Sequence, residues 1–189
     1  MPDWDAPVWE SLWAPYDEGT YQQVLSLIQP TDVVIDIGAG DLRLDRELAK
    51  ACKHVYAYEQ QAEIVARGLR AGPLPANLSV VVGDARTLPF PFQVTVGVLL
   101  MRHCRDVSFY MKKLRQIGAH RLLTNARWKL DVEEIDLRAP RVPYEQIRIG
   151  WYACECGVTG FVQGPPEALT PAVLNSVYEV TDCPACRTR

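Results

Sequence analysis

Asp32-Val33-Val34-Ile35-Asp36-Ile37-Gly38-Ala39-Gly40-Asp41 decides how the rest of the chain is read. Val33, Val34, Ile35 and Ile37 form a short apolar, mostly β-branched run, the mark of a strand buried on both faces of a parallel sheet. Gly38 and Gly40 at its carboxyl end let the backbone turn tightly and let a ligand approach the main chain. A helical pattern opens at Asp41, so the free N–H groups of that helix face the same crevice. Strand, glycine turn and helix make a nucleotide-binding unit.

Two later carboxylates narrow the choice of nucleotide. The next apolar strand, Val55 to Tyr58, ends at Glu59, about 20 residues past Gly38, where an acid accepts hydrogen bonds from ribose hydroxyls. A third strand, Leu78 to Val82, ends in Gly83-Asp84-Ala85, and an acid there can accept from an exocyclic adenine amine. A dinucleotide dehydrogenase calls for Gly-x-Gly-x-x-Gly, but Arg43 stands at the third glycine.

The trio Asp36-x-Gly38-x-Gly40, Glu59 and Asp84, each at a strand tip, resembles the class I S-adenosylmethionine-dependent methyltransferases across residues 16–128. Leu42 departs from the Gly-x-Gly-x-Gly that these enzymes often carry, so helix and strand should sit further apart or the turn should differ. The resemblance implies a Rossmann-like, doubly wound α/β fold: a mostly parallel seven-strand sheet, its last strand antiparallel, with helices on both faces. It implies S-adenosylmethionine as cofactor, lying across the tips of the first three strands. Gly38 and Gly40 would pass under it, Asp36 would hold its amino-acid end with Asp41 nearby, Glu59 would bind ribose, and Asp84 with the Ala85 N–H would read adenine. Leu100 would line the pocket from the fourth strand. Ala14-Pro15-Tyr16 through Thr20-Tyr21 resembles a segment that precedes the glycine motif in seven-strand protein lysine methyltransferases, which makes Tyr16 and Thr20 further candidates.

The totals set the frame. The chain has 189 residues, 48% hydrophobic and 23% charged, enough for one full core with a small appendage. It holds no apolar run of about 18 residues, so no membrane span is expected. The N-terminus MPDWDAPVWE lacks the basic-then-apolar layout of a signal peptide, and a cytoplasmic protein with reduced cysteines is expected. The net charge of −3 hides an acidic first half and a basic stretch over residues 102–148. That stretch suits either an anionic partner such as RNA or a solvated surface around one helix.

Three divisions are expected: residues 1–30 as an N-terminal helical segment, 31–145 as the cofactor-binding core, and 146–189 as a β extension. Trp4, Trp9, Trp13 and Tyr16 make the first either a clamp on the core or a lid. Tyr21, Val24, Leu25 and Ile28 fall at helical spacing from Thr20 to Gln29, with Thr20 and Gln23 as a capping box and Pro30 as the stop. Asp41 is placed to cap the next helix. Further helices are expected over 61–71 and from Asp106 to Gly118, with strands over 94–101 and 121–126.

The acceptor side is less explicit. Leu100-Met101-Arg102-His103-Cys104-Arg105 stands where amino-methylating relatives often carry Asn/Asp-Pro-Pro-aromatic. His103 is either a general base working near neutral pH or a histidine in a surface turn. Asn125 either orients substrate or caps a turn, and Cys104 lacks a paired base. Residues 127–145 mix charge, apolar residues and prolines and read as an exposed strand or helix fragment.

The second informative stretch is the tail. Cys154-Glu155-Cys156-Gly157 and Cys183-Pro184-Ala185-Cys186 offer two tight turns whose four thiolates can close a tetrahedral structural zinc site. Disulfides and a redox or iron centre are the alternatives. Strands over 146–153, 158–163 and 177–181 would make a zinc-ribbon-like extension, with Ile147, Ile149 and Trp151 on one face. Cys52 and Cys104 read as buried core thiols.

Three functions remain. The first is methyl transfer from S-adenosylmethionine to an unidentified acceptor, with protein lysine or RNA ahead of small molecules. The second is a non-catalytic or regulatory donor-binding protein whose zinc ribbon meets a protein or nucleic acid. The third is a dinucleotide oxidoreductase.

Overall fold

A computed structural model describes residues 18–102, 104–127 and 131–188. Trp4, Trp9, Trp13, Tyr16 and His103 lie outside the described residues.

The core alternates strand and helix. After α1 (Glu18–Leu27) come β1 (Val33–Ile37), α2 (Arg43–Ala51), β2 (His54–Glu59), α3 (Ala62–Arg70), β3 (Leu78–Val82) and β4 (Val96–Leu99). Then follow α4 (Val107–Gln116), β5 (Arg121–Thr124) and β6 (Glu133–Asp136). The strand order is β3-β2-β1-β4-β5-β6, parallel except for β6, which runs antiparallel to β5. The order reverses beside β1, and the open crevice of such a sheet lies at the carboxyl tips there.

Every residue of β1 is buried, as its sequence requires. The period of two divides the strand between two hydrophobic layers. Val33, Ile35 and Ile37 pack with Tyr110, Met111 and Leu114 of α4. Val34 packs with Leu44 and Leu48 of α2, Val65 of α3 and Val24 of α1. Helices therefore cover both faces, as a doubly wound fold demands.

Residues 137–188 depart from expectation. The described residues form six core strands rather than seven, because the chain beyond β6 builds a sheet of its own. Its strands are β7 (Val142–Pro143), β8 (Gly150–Cys154), β9 (Thr159–Val162) and β10 (Val177–Thr181), in the order β7-β10-β8-β9. α5 (Pro171–Asn175) precedes β10, and α6 (Pro184–Arg187) follows it. This sheet opens at Val142, ahead of the division expected at 145/146. A 3-10 turn at Tyr144–Gln146 occupies the start of the strand expected there. Within β8, Tyr152 is buried while Trp151 is 36% exposed, because Tyr152 belongs to the small core around the cysteines.

Candidate functional site

The glycine turn takes its shape from left-handed backbone at three positions: Gly38 (φ +84°), Gly40 (φ +58°) and Leu42 (φ +65°). A branched residue pays about 1–2 kcal/mol for that conformation. Here the Leu42 side chain is wholly buried, which offsets the strain. Leu42, not Asp41, stands at the N-cap of α2, and Asp41 instead pairs with Arg43 Nε at 2.9 Å. The close helix contact that a third glycine would have allowed comes from Gly68 in α3. A Cβ built on Gly68 would lie 2.2 Å from the Asp41 carbonyl oxygen.

The turn is held from β2. The Gly38 and Ala39 N–H groups donate to the Tyr58 carbonyl at 2.8 and 3.1 Å. The Glu59 carboxylate accepts from the Gly40 N–H at 3.0 Å and from the Gln61 N–H at 2.9 Å. Glu59 is thereby fixed in orientation at the cavity wall with lone pairs to spare.

At the tip of β3, the Gly83 N–H donates to the Glu59 carbonyl at 2.9 Å. Asp84 accepts from the Arg86 guanidinium at 2.7 Å and from the Arg86 N–H at 2.9 Å. Those Arg86 bonds hold the Asp84 carboxyl down at about 2. Arg86 also lies 3.8 Å from Asp106, so it spans the gap between β3 and the start of α4. Lys113 of α4 donates to the Ala85 and Leu88 carbonyls and sits 4.2 Å from the Phe90 ring centre. It therefore ties down the loop that carries Asp84 and Ala85. Neither Gly68 nor Lys113 was singled out in the sequence, since both act through contacts distant along the chain.

These elements enclose a cavity of about 720 Å³, within the usual range for a small-molecule cofactor. Asp36, Gly38, Gly40, Asp41, Glu59, Asp84, Ala85 and Leu100 all line it. Thr20 does not: it is buried inside α1, too far along the helix to act as its cap, and its neighbour Tyr21 reaches the cavity instead. Burial, then the Asp36 charge, raises the Tyr21 phenol. Opposite stand Met101, whose sulfur would be 3.2 Å from a Cβ on Gly38, and Cys104, whose thiol burial pushes up. Asn125 is 3% exposed, has no hydrogen-bond partner for either side-chain atom, and is not among the lining residues.

The four tail cysteines meet as expected. All four sulfurs lie within 4.8 Å of one another, with Cys154–Cys186 at 3.5 Å, Cys156–Cys183 at 3.6 Å and Cys183–Cys186 at 3.8 Å. Four sulfurs about 2.3 Å from a tetrahedral ion stand about 3.8 Å apart, so the donor set fits a four-thiolate metal site. Burial opposes ionisation of Cys154, but the N–H groups of Cys156 and Cys183 together with the Cys183 and Cys186 thiols outweigh it and bring the thiol down to about 7. Cys52, in contrast, is a buried core thiol raised to about 11 by burial.

The cysteine module is docked on the core. Arg127 pairs with Glu133 at 2.8 Å and with Glu179 of β10 at 2.6 Å, all three side chains nearly buried. A Cβ on Gly157, in the first cysteine turn, would lie 3.3 Å from Ser108 Oγ of α4. The thiolate module thus sits against the helix whose start borders the cavity.

No protein-family profile matches the chain. A curated protein described as an rRNA methyltransferase from Streptomyces thermotolerans is 28% identical over 117 residues, covering 59% of this chain and 39% of that protein. The chain thus spans about two fifths of the length of the curated relative it matches. Among solved structures, phosphoethanolamine N-methyltransferase 1 of Haemonchus contortus, in complex with phosphoethanolamine and S-adenosylhomocysteine, superposes with a TM-score of 0.52 at 17% identity. The match covers 60% of this chain and 28% of that one. The YcgJ protein of Bacillus subtilis superposes with a TM-score of 0.51 at 16% identity, over 59% and 52% of the two chains. The core has a Rossmann-like α/β fold, shared with that N-methyltransferase. Among the described residues, no helix is long and apolar enough to cross a membrane.

Proposed function

We propose that this chain is an S-adenosylmethionine-dependent methyltransferase acting on a macromolecule, with RNA ahead of protein lysine. The observation that carries the reading is one cavity that gathers the glycine turn, Glu59, Asp84 and Ala85 from three adjacent strand tips. Glu59 accepts from the ribose hydroxyls, Asp84 and the Ala85 N–H read adenine, and Asp36 with Asp41 faces the amino-acid end. Leu100 and Met101 exclude water from the reacting centre. When bound, the donor supplies a methyl group on a sulfonium, which an acceptor nucleophile takes by in-line displacement. Such transfer needs positioning and desolvation more than an obligate base. RNA is favoured by the relative described as an rRNA methyltransferase and by the basic stretch over residues 102–148, of which Arg102 lines the cavity.

The cysteine module holds structural zinc in this reading. A closed four-thiolate site offers no open position for substrate, and its spacing fits the ion. Thiolates of this kind belong in a reducing compartment, in keeping with a cytoplasmic protein.

A second reading is a donor-binding protein without turnover. It is favoured by Arg86, whose guanidinium already occupies the Asp84 carboxylate.

The test is calorimetric titration of S-adenosylmethionine and S-adenosylhomocysteine into zinc-loaded protein, with Glu59→Ala and Asp84→Ala. Micromolar binding weakened more than tenfold by each substitution is expected. No heat with either ligand refutes the donor site. Transfer of labelled methyl to RNA, and not to protein, supports the first reading; donor binding with no transfer to any pool supports the second.

A further inference from the structure

Asp45 is the unexplained residue of the donor pocket. It sits in the first turn of α2 with no exposed surface, and beyond its own backbone N–H neither carboxyl oxygen has a hydrogen-bond donor. The group within hydrogen-bond reach is the Asp36 carboxyl, itself 4% exposed at the cavity wall. Two carboxylates bond to each other only when one of them carries a proton, and two unshielded charges cannot stay buried together. The other groups facing this pair make matters worse: Glu59 from β2, Asp41 from the turn and the Tyr21 phenol from α1 are all acids, and the Arg43 guanidinium is paired with Asp41. The sheet places Asp36 opposite α2, on the Val34 side of β1, so this juxtaposition belongs to the fold.

We infer that Asp36 and Asp45 share one proton in the free protein and release it when the ammonium of a donor's amino-acid end binds beside Asp36. The inference rests on the proposed donor site and adds to it a positioning residue, Asp45. The balance is simple: a singly protonated pair with one negative charge becomes two carboxylates with two. The ligand ammonium supplies the compensating charge, and the proton passes to solvent. Burial, and then the Glu59 charge, lifts Asp36 to about 7, and burial with the Asp36 charge lifts Asp45. Affinity should therefore rise with pH, because proton release favours the complex at lower proton concentration.

The probe is S-adenosylhomocysteine, titrated calorimetrically at pH 6 in buffers of different ionisation enthalpy. The ligand ammonium is fully charged at that pH, so only the protein contributes. Wild-type protein should release close to one proton per ligand, and its affinity should tighten by up to tenfold per pH unit below pH 7. Asp45→Asn, which keeps the shape and gives Asp36 an N–H donor, should release clearly less than one proton and shift the pH profile to lower pH. Binding without proton release in the wild type overturns the inference and leaves the donor site standing; no binding overturns the donor site itself. Carbon-13 titration of the carboxyl resonances in the free protein gives an independent check. Two well-separated steps for the pair support the shared proton, and two ordinary carboxyl titrations overturn it.

Discussion

Gly68→Ala should destabilise the protein, against the sign that helix propensity alone requires. Alanine is favoured over glycine inside a helix by about 1 kcal/mol, so an unpacked site would gain that much. Here the new Cβ would lie 2.2 Å from the Asp41 oxygen, 2.7 Å from the Asp41 carbonyl carbon and 3.1 Å from Leu42 Cγ. Real contacts of this kind stop near 3.0 Å, so α3 must retreat by about 0.8 Å from backbone that two left-handed residues and the Tyr58 carbonyl hold rigid. Forced overpacking costs about 1–3 kcal/mol, and a fixed backbone belongs at the upper end of that range. Against the propensity gain, a net loss of about 2 kcal/mol is expected, read as a lower urea midpoint with unchanged slope. Moving the turn should also weaken S-adenosylhomocysteine binding at least tenfold. The control is Ala66→Gly at an exposed position of the same helix, which should cost about 1 kcal/mol and leave ligand binding alone. A Gly68→Ala protein as stable as the wild type would refute the reasoning, because it would show that α3 does not set the position of the turn.

Arg127→Met should cost about 3 kcal/mol in urea melts, since it strands the nearly buried Glu133 carboxylate and leaves Glu179 only the Arg141 guanidinium at 3.5 Å; a loss below about 1 kcal/mol would show the cluster to be solvated. Metal analysis should find one zinc per chain, and Cys183→Ser should abolish it and expose the amides of β8 and β10 to exchange while β1 and β4 stay protected; full protection without metal would exclude a structural role. Stability against pH should follow the carboxyl pair. Burial lifts Asp36 to about 7, above the ordinary carboxyl value of about 3.9, so the proton it shares with Asp45 contributes stability that is complete below about pH 4 and is lost as pH rises through about 7. Asp45→Asn, which gives Asp36 an N–H donor while its burial and Glu59 remain, should move that decline to lower pH, and an unchanged profile would contradict the assignment.

What the sequence discloses and what it hides divide along the range of the interactions. β1 is legible because burial on both faces leaves a continuous apolar run, and Glu59 and Asp84 because strand tips recur at regular spacing. The paired cysteine turns are legible because each ligand pair is local. Gly68 looks like an ordinary weak point in a helix until Asp41 is seen against it. Lys113 looks like one of several surface cations, yet it anchors a loop formed some two dozen residues earlier. Leu42 violates the expected glycine, and its strain is accepted because the side chain fills the core. Thr20 is buried within a helix that already includes Glu18, and it is Tyr21 that this helix carries to the cavity.

α4 gives the two sites a common support. Asp106 at its start and Tyr110 within it line the cavity, Lys113 holds the loop after β3, and Arg115 Nε bonds the Leu137 carbonyl at 2.9 Å, where the chain leaves for the second sheet. On the same helix, Ser108 meets the first cysteine turn. The four-cysteine module therefore braces the helix that braces the Asp84 loop. Coupling between two sites is reciprocal in binding free energy. If metal loss loosens α4 and weakens the donor site, donor binding must slow or oppose metal loss by the same factor, even though none of the four metal-site cysteines lines the donor cavity. Equal metal affinity with and without S-adenosylhomocysteine would mean that α4 is a rigid wall between two independent sites.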